Sequence, residues 1–288
     1  MRFDTSGDKV LNAINHIVLA LAAIICILPF VNIVVSSFTS AEEILLKGFV
    51  FFPQRPTLSA YKFIFSTSVF MISLGNSIYI TVMGTIISLF FTVTMAYALS
   101  HERLIHRSFF SFLVIFTMLF SGGMIPTYIL VKNLGLIDSY FSLFLTGAIN
   151  AFNMILLKNF FMQIPKELSE SAKIDGANDL RILLNVILPV SLAALATFAL
   201  FYAVSYWNIF FSALLYINKA ARWPIQVLLR TIVILSQGGF GESDPDVVVP
   251  PETVKMAVIV VSTIPILCVY PFLQKYFTKG IMVGSIKG

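Results

Sequence analysis

Glu170 and the residues that follow it form the densest group of charged and polar side chains with a possible functional role in this sequence. Residues 163–189 read QIPKELSESAKIDGANDLRILLNVILP. The carboxylate of Glu170 stands beside Ser171 and Ala172, whose small side chains would let the wall of a partner come close. A carboxylate on a narrow helix suits docking. Lys166 and Lys173 could instead pair with Glu170 on a solvated helix, at about 0.2–0.5 kcal/mol per pair, and local chemistry leaves both readings open.

Two short helices are expected to position these groups. Pro165 can open the first helix, and Gly176 can close it in a left-handed conformation. Asn178 or Asp179 can cap the second. Helical spacing in the second helix joins one apolar set, Leu180, Leu183, Leu184, Ile187 and Leu188. We expect this set to pack against the rest of the protein, leaving the first helix projecting.

The motifs of common enzyme classes are absent from the sequence. It contains no G-x-x-x-x-G-K-[ST] loop for nucleotide phosphates, no H-E-x-x-H, no Cys/His spacing typical of a metal site and no G-x-S-x-G. We therefore expect a non-catalytic protein with no cofactor and no metal.

Composition places the chain in a lipid bilayer. Of its 288 residues 58% are hydrophobic and only 11% are charged, far from the balance of a soluble domain. The net charge of +5 is not accompanied by a basic patch interleaved with aromatic residues, so nucleic acid is not an expected partner. Cys26 and Cys268 lie in apolar runs and do not suggest a disulfide framework.

Six segments without Asp, Glu, Lys or Arg are long enough to cross the membrane as helices. They are residues 12–37, 68–99, 108–131, 140–157, 190–217 and 256–274. If the N-terminus is cytoplasmic, a modest majority of the 19 Lys and Arg residues lies in the segments on the cytoplasmic side of the membrane. This bias favours a topology with both termini in the cytoplasm. We expect one membrane domain, 1–288, with a cytoplasmic loop at 163–189 and an extracytoplasmic loop at 218–252.

Three stretches interrupt this pattern. Pro53 and Pro56 oppose a continuous helix in residues 39–67, which should lie along the outer surface. The apolar stretch IQVLLRTIVIL is too short to span and should form an interfacial or re-entrant helix. Residues 122–126, GGMIP, predict either a kink that lines a cavity or a close-packing notch.

The six segments contain no Asp, Glu, Lys or Arg, and His16 lies near one end of the first, which bears on how transport would be driven. Carriers coupled to protons or sodium bury such groups along the pathway. This chain must therefore draw its energy from another protein, or it is a passive channel or an assembly scaffold.

Uncharged polar and aromatic side chains within the spans suit a sugar, because hydroxyl groups need hydrogen bonds and pyranose faces stack on rings. The candidates are Asn76, Tyr79, Asn150, Asn153, Tyr202, Tyr206, Trp207 and Asn208. Each of them could equally hold neighbouring helices together. The cluster Tyr206, Trp207 and Asn208 is the stronger candidate.

The run ESAKIDGA followed by VILP resembles the cytoplasmic signature of binding-protein-dependent ABC importer permeases. That signature is E-A-A, three residues, G, nine residues and then I-x-L-P. Its positions fall here on Glu170, Ser171, Ala172, Gly176, Val186, Leu188 and Pro189. Ser171 and Val186 depart from it conservatively. The resemblance extends over most of the chain, is closest to the carbohydrate-uptake branch and the second maltose-importer permease, and includes GGMIPTYILVKNLGLIDS and SYWNIFFSALLY.

The resemblance implies a type I ABC importer permease fold and a set of partners. These are a second homologous permease subunit, two ATP-binding subunits, an extracytoplasmic solute-binding protein and a sugar substrate, with an oligosaccharide expected as the cargo. The coupling residues would be Glu170, Ser171, Ala172, Asp175, Gly176, Leu188 and Pro189. Contacts with the binding protein would come from Gln237, Gly238, Gly239 and Glu242, which could equally belong to a solvated linker.

Overall fold

The computed structural model describes residues 6–236 and 252–285, with side chains from 10 to 234 and from 252 to 268. Its helices are α1 Ser6–Ser37, α2 Ala41–Lys47, α3 Ser59–Ser66, α4 Ser68–Ser100, α5 Arg107–Leu119, α6 Met124–Asn133, α7 Phe141–Thr146, α8 Ala151–Met162, α9 Lys166–Ile174, α10 Asp179–Ile182, α11 Leu188–Val190, α12 Leu192–Trp207, α13 Phe211–Tyr216, α14 Ile225–Ser236 and α15 Glu252–Ser285. A π-helical turn, Leu183–Ile187, follows α10, and a 3₁₀ turn, Ala220–Arg222, precedes α14. These described residues contain no strand, which confirms the all-α class.

The chain divides into two compact units. One comprises Met1–Ser68 and Leu229–Thr263, and the other Val69–Leu228 and Ile264–Gly288. In the first unit, α2 is anchored by Glu43, which accepts hydrogen bonds from Lys47 Nζ and from the backbone N–H of Gln54. Residues 48–58, between α2 and α3, are not helical, as the two prolines predict.

Two described helices are long and apolar enough to cross a membrane, Val10–Ser37 within α1 and the whole of α4. Every side chain from Val10 to Val31 is exposed. An apolar surface of that length requires lipid or another apolar surface around it. The first two predicted segments are thus helical as expected.

The third predicted segment, 108–131, is not a continuous helix. Helices α5 and α6 meet at an angle of 115°. Gly123, at φ +86°, caps the start of α6 in a conformation that a residue with a Cβ adopts only with strain. The GGMIP sequence therefore makes a turn sharper than a kink.

The fourth and fifth predicted segments are also divided. Residues 147–150 separate α7 from α8, and residues 208–210 separate α12 from α13. At Ser191 the chain bends by 86° before α12 begins. Prediction of continuous helices is wrong at these points, because mean hydropathy does not register a local break in the backbone.

The second unit contains two apolar core clusters. The first joins α4, α8, α10 and the π-helical turn, and includes the fully buried Ala96, Leu157 and Ile182. The second joins α4, α7 and α12 around Ile80, Phe144 and Tyr206. Helix α4 contributes to both clusters.

Candidate functional site

Tyr202 and Tyr206, one turn apart on α12, bind a matching pair of hydroxyl groups on α4. The hydroxyl of Tyr206 lies 2.9 Å from that of Ser88, and the hydroxyl of Tyr202 lies 2.6 Å from that of Thr92. Both tyrosines are almost fully buried. The backbone N–H of Asn150 donates to the Tyr202 hydroxyl at 3.1 Å. The two phenols thus fasten α12 to α4 and to the start of α8.

Two glycines make room for Tyr206. A Cβ atom on Gly84 would lie 2.7 Å from three atoms of the tyrosine ring, and one on Gly147 would lie 2.9 Å from its hydroxyl oxygen. Ser88 also donates to the carbonyl of Gly147 at 3.1 Å. The ring position therefore depends on glycine at both places.

A polar cavity of about 610 Å³ opens beside these tyrosines. Four residues predicted for the sugar pathway line it, Asn150, Asn153, Tyr202 and Tyr206. The side chain of Asn150 caps α8 by accepting from the backbone N–H of Asn153 at 3.1 Å. None of the described residues that line the cavity is charged. Its hydroxyl, amide and aromatic groups are the types that hold a carbohydrate.

The other predicted pathway residues do not line this cavity. Asn76 donates to the carbonyl groups of Ala221 and Trp223, at 2.9 and 3.1 Å, and so holds a loop in place. Tyr79 lies against the ring of Tyr140, with the centroids 5.5 Å apart. For Asn76 the structure favours the packing reading over the pathway reading.

Trp207 and Asn208 also lie elsewhere. Trp207 lines a separate, smaller apolar cavity that includes Ile78 and Pro265. Asn208 caps the end of α12, and its amide donates to the carbonyl of Val204 at 2.8 Å. Of the three neighbours favoured as a cluster, Tyr206 alone joins the polar cavity.

Sequence reasoning missed several residues of the polar cavity. The polar ones are Thr127, Thr146, Ser205, Ser212 and Tyr216. Hydroxyl side chains are common in membrane helices as packing groups, so type alone did not distinguish them. Ser88 and Thr92, which bind the two tyrosines, are also absent from the predicted set. They are four residues apart, as are Tyr202 and Tyr206, and this equal spacing is a signal that could indicate the contact.

The predicted pair of helices at 163–189 is present, with the expected ends. Helix α9 begins directly after Pro165, and Gly176 follows it at φ +80°. Asn178 caps α10 by accepting from the N–H of Arg181 at 2.9 Å. No residue of α9 is buried. Ile174 on its outward side is 87% exposed.

The apolar face predicted for the second helix is partly wrong. Leu183 and Ile187 are buried as expected, but Leu180 and Leu184 are exposed and Ile182 is fully buried instead. The π-helical turn at Leu183–Ile187 changes the angular spacing, so an α-helical period no longer places the residues on one side. Leu188 is half-buried in α11, and Pro189 is exposed.

Glu170 faces a third, charged cavity of about 280 Å³ between α9 and the end of α4, here called the loop cavity. Lys166, Ser169 and Lys173 share this face of α9. Ser171 and Asp175 are exposed, while Ala172 is half-buried against the first core cluster. Ala172 thus packs on its own chain.

Ion pairs surround the loop cavity. Lys166 Nζ lies 2.7 Å from Glu102 Oε1, and Lys173 Nζ lies 3.3 Å from Asp179 Oδ1. The hydrogen bond from Lys166 lowers the pKa of Glu102 below its ordinary value. Burial lowers the pKa of His101, with Asp179 opposing this change. Glu102 is therefore charged and His101 predominantly neutral near pH 7.

A separate polar junction is built on Asp138, whose φ of +61° is left-handed. Its carboxylate accepts from the N–H groups of Asn218 and Lys219, at 2.6 and 3.0 Å, and Arg222 donates to its carbonyl. The pKa of Asp138 is lowered; burial opposes the shift, and the backbone donors and nearby cations outweigh it. This junction holds the loop after α6 against the loop after α13.

The residues predicted to touch a binding protein, Gln237, Gly238, Gly239 and Glu242, lie outside the described residues.

Comparison with known proteins gives a consistent picture. Residues 89–283 match the family model for the binding-protein-dependent transport system inner membrane component. The chain is 55% identical to the polygalacturonan/rhamnogalacturonan transport system permease protein YtcP of Bacillus subtilis, over 94% of this chain and 96% of that one. It is 31% identical to the trehalose/maltose transport system permease protein MalG of Thermococcus litoralis, over 98% and 99%.

A solved structure also matches. It is a bacterial ABC transporter involved in the import of the acidic polysaccharide alginate. One of its chains superposes with a TM-score of 0.88 at 36% identity, covering 96% of this chain and 100% of that chain.

Proposed function

Because the chain belongs to the family of binding-protein-dependent transport system inner membrane components, we propose that it forms half of the path by which an oligosaccharide enters the cell. It is a non-catalytic permease subunit of a sugar ABC transporter in the cytoplasmic membrane, and ATP is hydrolysed on separate subunits. The polar cavity beside Tyr202 and Tyr206 is the observation that supports a sugar as cargo.

The relatives favour an acidic saccharide. The one that is 55% identical is named for polygalacturonan and rhamnogalacturonan, and the solved importer carries alginate. Uronic acid chains present many hydroxyl groups and one carboxylate on each uronic acid unit. Within this chain the uncharged cavity would bind the hydroxyl groups and ring faces, so a cation for the carboxylate would have to come from the second permease.

The assembly we propose has a second permease subunit, two ATP-binding subunits and an extracytoplasmic binding protein. This chain would cross the membrane six times, with both termini in the cytoplasm and with 218–252 as an extracytoplasmic loop. Helix α9, in the 163–189 loop, would seat on an ATP-binding subunit. Its exposed residues, including Ser171 and Ile174, are available for that contact. Gln237, Gly238, Gly239 and Glu242 remain candidates for contact with the binding protein.

Uptake by reconstituted complex tests this proposal. The complete complex and its binding protein would be placed in liposomes, with labelled oligogalacturonides outside and ATP inside. We expect uptake of oligogalacturonides only with ATP, and weak uptake of maltotriose under the same conditions. Equal uptake with and without ATP would instead identify a passive channel. Preference for maltotriose would reject the acidic cargo while leaving the importer assignment in place.

A further inference from the structure

The two ends of α9 are tied to one end of α4. Lys166, at the start of α9, pairs with Glu102, two residues beyond α4. Lys173, near the end of α9, pairs with Asp179, whose carbonyl accepts a hydrogen bond from the Tyr97 hydroxyl at 3.2 Å. Tyr97 belongs to the last turn of α4. Helix α9 is therefore linked to α4 by side-chain contacts at both ends.

These polar contacts matter because α9 has little apolar packing of its own. None of its residues is buried, and Ala172 is its half-buried contact with the first core cluster. A helix without a buried face gains little from the hydrophobic effect. Its orientation then depends on the ion pairs and on the Tyr97 hydrogen bond.

Helix α4 contributes no residue to the lining of the polar cavity, but it holds two tyrosines that line it. Ser88 and Thr92 bind the hydroxyl groups of Tyr206 and Tyr202, which line the cavity. Thr92 and Tyr97 are five residues apart on one unbroken helix, a rise of about 7.5 Å. A displacement at Tyr97 is thus carried directly to the residues that hold both tyrosines.

The chain itself also links α9 to the cavity, by two covalent routes through other helices. One runs through residues 163–165 into α8, whose start carries Asn150 and Asn153. The other runs through α10, the π-helical turn and α11 before reaching α12. That route includes the 86° bend at Ser191. A bent connection can absorb motion that a straight helix must transmit.

Resting on the proposed function, we infer that Tyr97 and Glu102 are positioning residues that pass movement of α9 to the polar cavity through α4. They do not touch the sugar. When the ATP-binding subunits move α9, its two attachments draw the end of α4 with it. Ser88 and Thr92 then displace Tyr206 and Tyr202 at the cavity.

A labelling experiment tests this inference without a known sugar. In the full complex, Cys26 and Cys268 are replaced by Ser, and Ser205→Cys supplies one thiol in the polar cavity. The readout is the rate of reaction with a maleimide in the presence of ATP and vanadate, divided by the rate without nucleotide. In the otherwise unchanged complex we expect this ratio to differ clearly from one.

The variants are Tyr97→Phe, Glu102→Lys and Lys166→Glu, together with the double exchange Glu102→Lys/Lys166→Glu. Each single change should reduce the departure of the ratio from one by about two- to five-fold, because an exposed ion pair or a single neutral hydrogen bond contributes little. The double exchange restores an ion pair of reversed polarity and should recover most of the nucleotide response. A charge reversal at an unrelated ion pair, Glu252→Lys, is the matched control.

Lys166 and Glu102 are both largely exposed, so the loss of their pair should leave the stability of the protein nearly unchanged. Single variants that keep the full nucleotide response would overturn the inference. Loss of the ATP-binding subunit from the Glu102→Lys complex would also overturn it, since that would indicate a docking contact. A complex that fails to respond before any of these changes would count against the proposed function instead.

Discussion

The hydroxyl oxygens of Tyr206 and Ser88 lie 2.9 Å apart in the interior of the second unit, and the same serine donates to the carbonyl of Gly147. The buried hydroxyl of Ser88 on α4 thus contacts both α12 and the end of α7 beside the polar cavity. The wall of the cavity depends on this bond.

Tyr206→Phe removes the hydroxyl and keeps the ring. Hydrogen bonds between membrane helices contribute about 0.6 kcal/mol on average and at most about 1.7, so a loss of that size is expected in the free energy of unfolding. Titration with a denaturing detergent, followed by circular dichroism, would measure it. Tyr79→Phe is the control, because the Tyr79 ring contacts would be retained. Equal stability of Tyr206→Phe and Tyr79→Phe would contradict the assigned bond.

Gly84→Ala places a methyl group against the Tyr206 ring. Because the added Cβ would lie 2.7 Å from three ring atoms, we expect a loss of about 1–3 kcal/mol in stability. Uptake should fall as the cavity wall shifts. Gly75→Ala on the same helix meets no atom within 4 Å and should be neutral or stabilising by up to about 1 kcal/mol. A functional, fully stable Gly84→Ala protein would show that the ring can move freely.

Asn153→Asp introduces a negative charge into the polar cavity. Two like charges about 8 Å apart repel by about 2 kcal/mol at an effective dielectric constant of about 20. Uptake of oligogalacturonides at low concentration should therefore drop about thirty-fold, a larger effect than that on a neutral sugar such as maltotriose. Asn153→Leu provides the uncharged comparison. Equal losses for both sugars in Asn153→Asp would argue against an acidic cargo near this residue.

Ile174→Asp tests the outward side of α9. Ile174 is 87% exposed, so its replacement should change the free energy of unfolding very little. If α9 docks on a partner, the same position becomes buried, and a carboxylate buried without a partner is unfavourable. We expect the ATP-binding subunit to be lost from affinity-purified complex, as it should be for Glu170→Arg. Leu46→Asp, at an equally exposed position on α2, should retain it. Retention by both α9 variants would reject α9 as the docking element.

His101 should make stability depend on pH. Burial lowers its pKa, and Lys173 and Arg107 add to that effect while Asp179 opposes it. The unfolded chain then binds a proton near the ordinary pKa of about 6.5, which the folded protein binds less readily, so stability falls as pH drops below about 7. In detergent, thermal unfolding of His101→Gln should show a weaker decrease between pH 7.5 and about 5.5. A decrease of unchanged size in His101→Gln would contradict this role of His101.

The sequence predicts those elements that have a long apolar run or a characteristic turn residue. The apolar runs predict α1 and α4, and the turn chemistry of Gly176 and Asn178 predicts the ends of α9 and α10. It was less informative at residues 147–150, where one glycine and one capping asparagine end one helix and begin another inside an apolar run.

The same limit applies to the sites. Residue type alone predicts Tyr202 and Tyr206 as pathway residues, and the structure brings them together with Asn150 and Asn153. Asn76 has an equally suitable side chain but is used to hold a loop. Which of several polar groups meets a cavity depends on the rotation of each helix, and near-uniform apolar surroundings leave that rotation unmarked in the sequence. The π-helical turn at Leu183–Ile187 is a further case, since it rotates the helix within the loop.

The described residues place no charged side chain around the polar cavity, and this has an electrical consequence. A cavity without a fixed cation does not neutralise an anionic cargo, so a uronate chain would carry its own charge through the membrane field. Moving each negative charge into a cell whose interior is 100 mV negative requires about 2.3 kcal/mol. For three uronates the electrical work would be about 7 kcal/mol. Unless the second permease supplies compensating charge, the membrane potential would oppose import, and ATP hydrolysis would have to do that work in addition to concentrating the sugar.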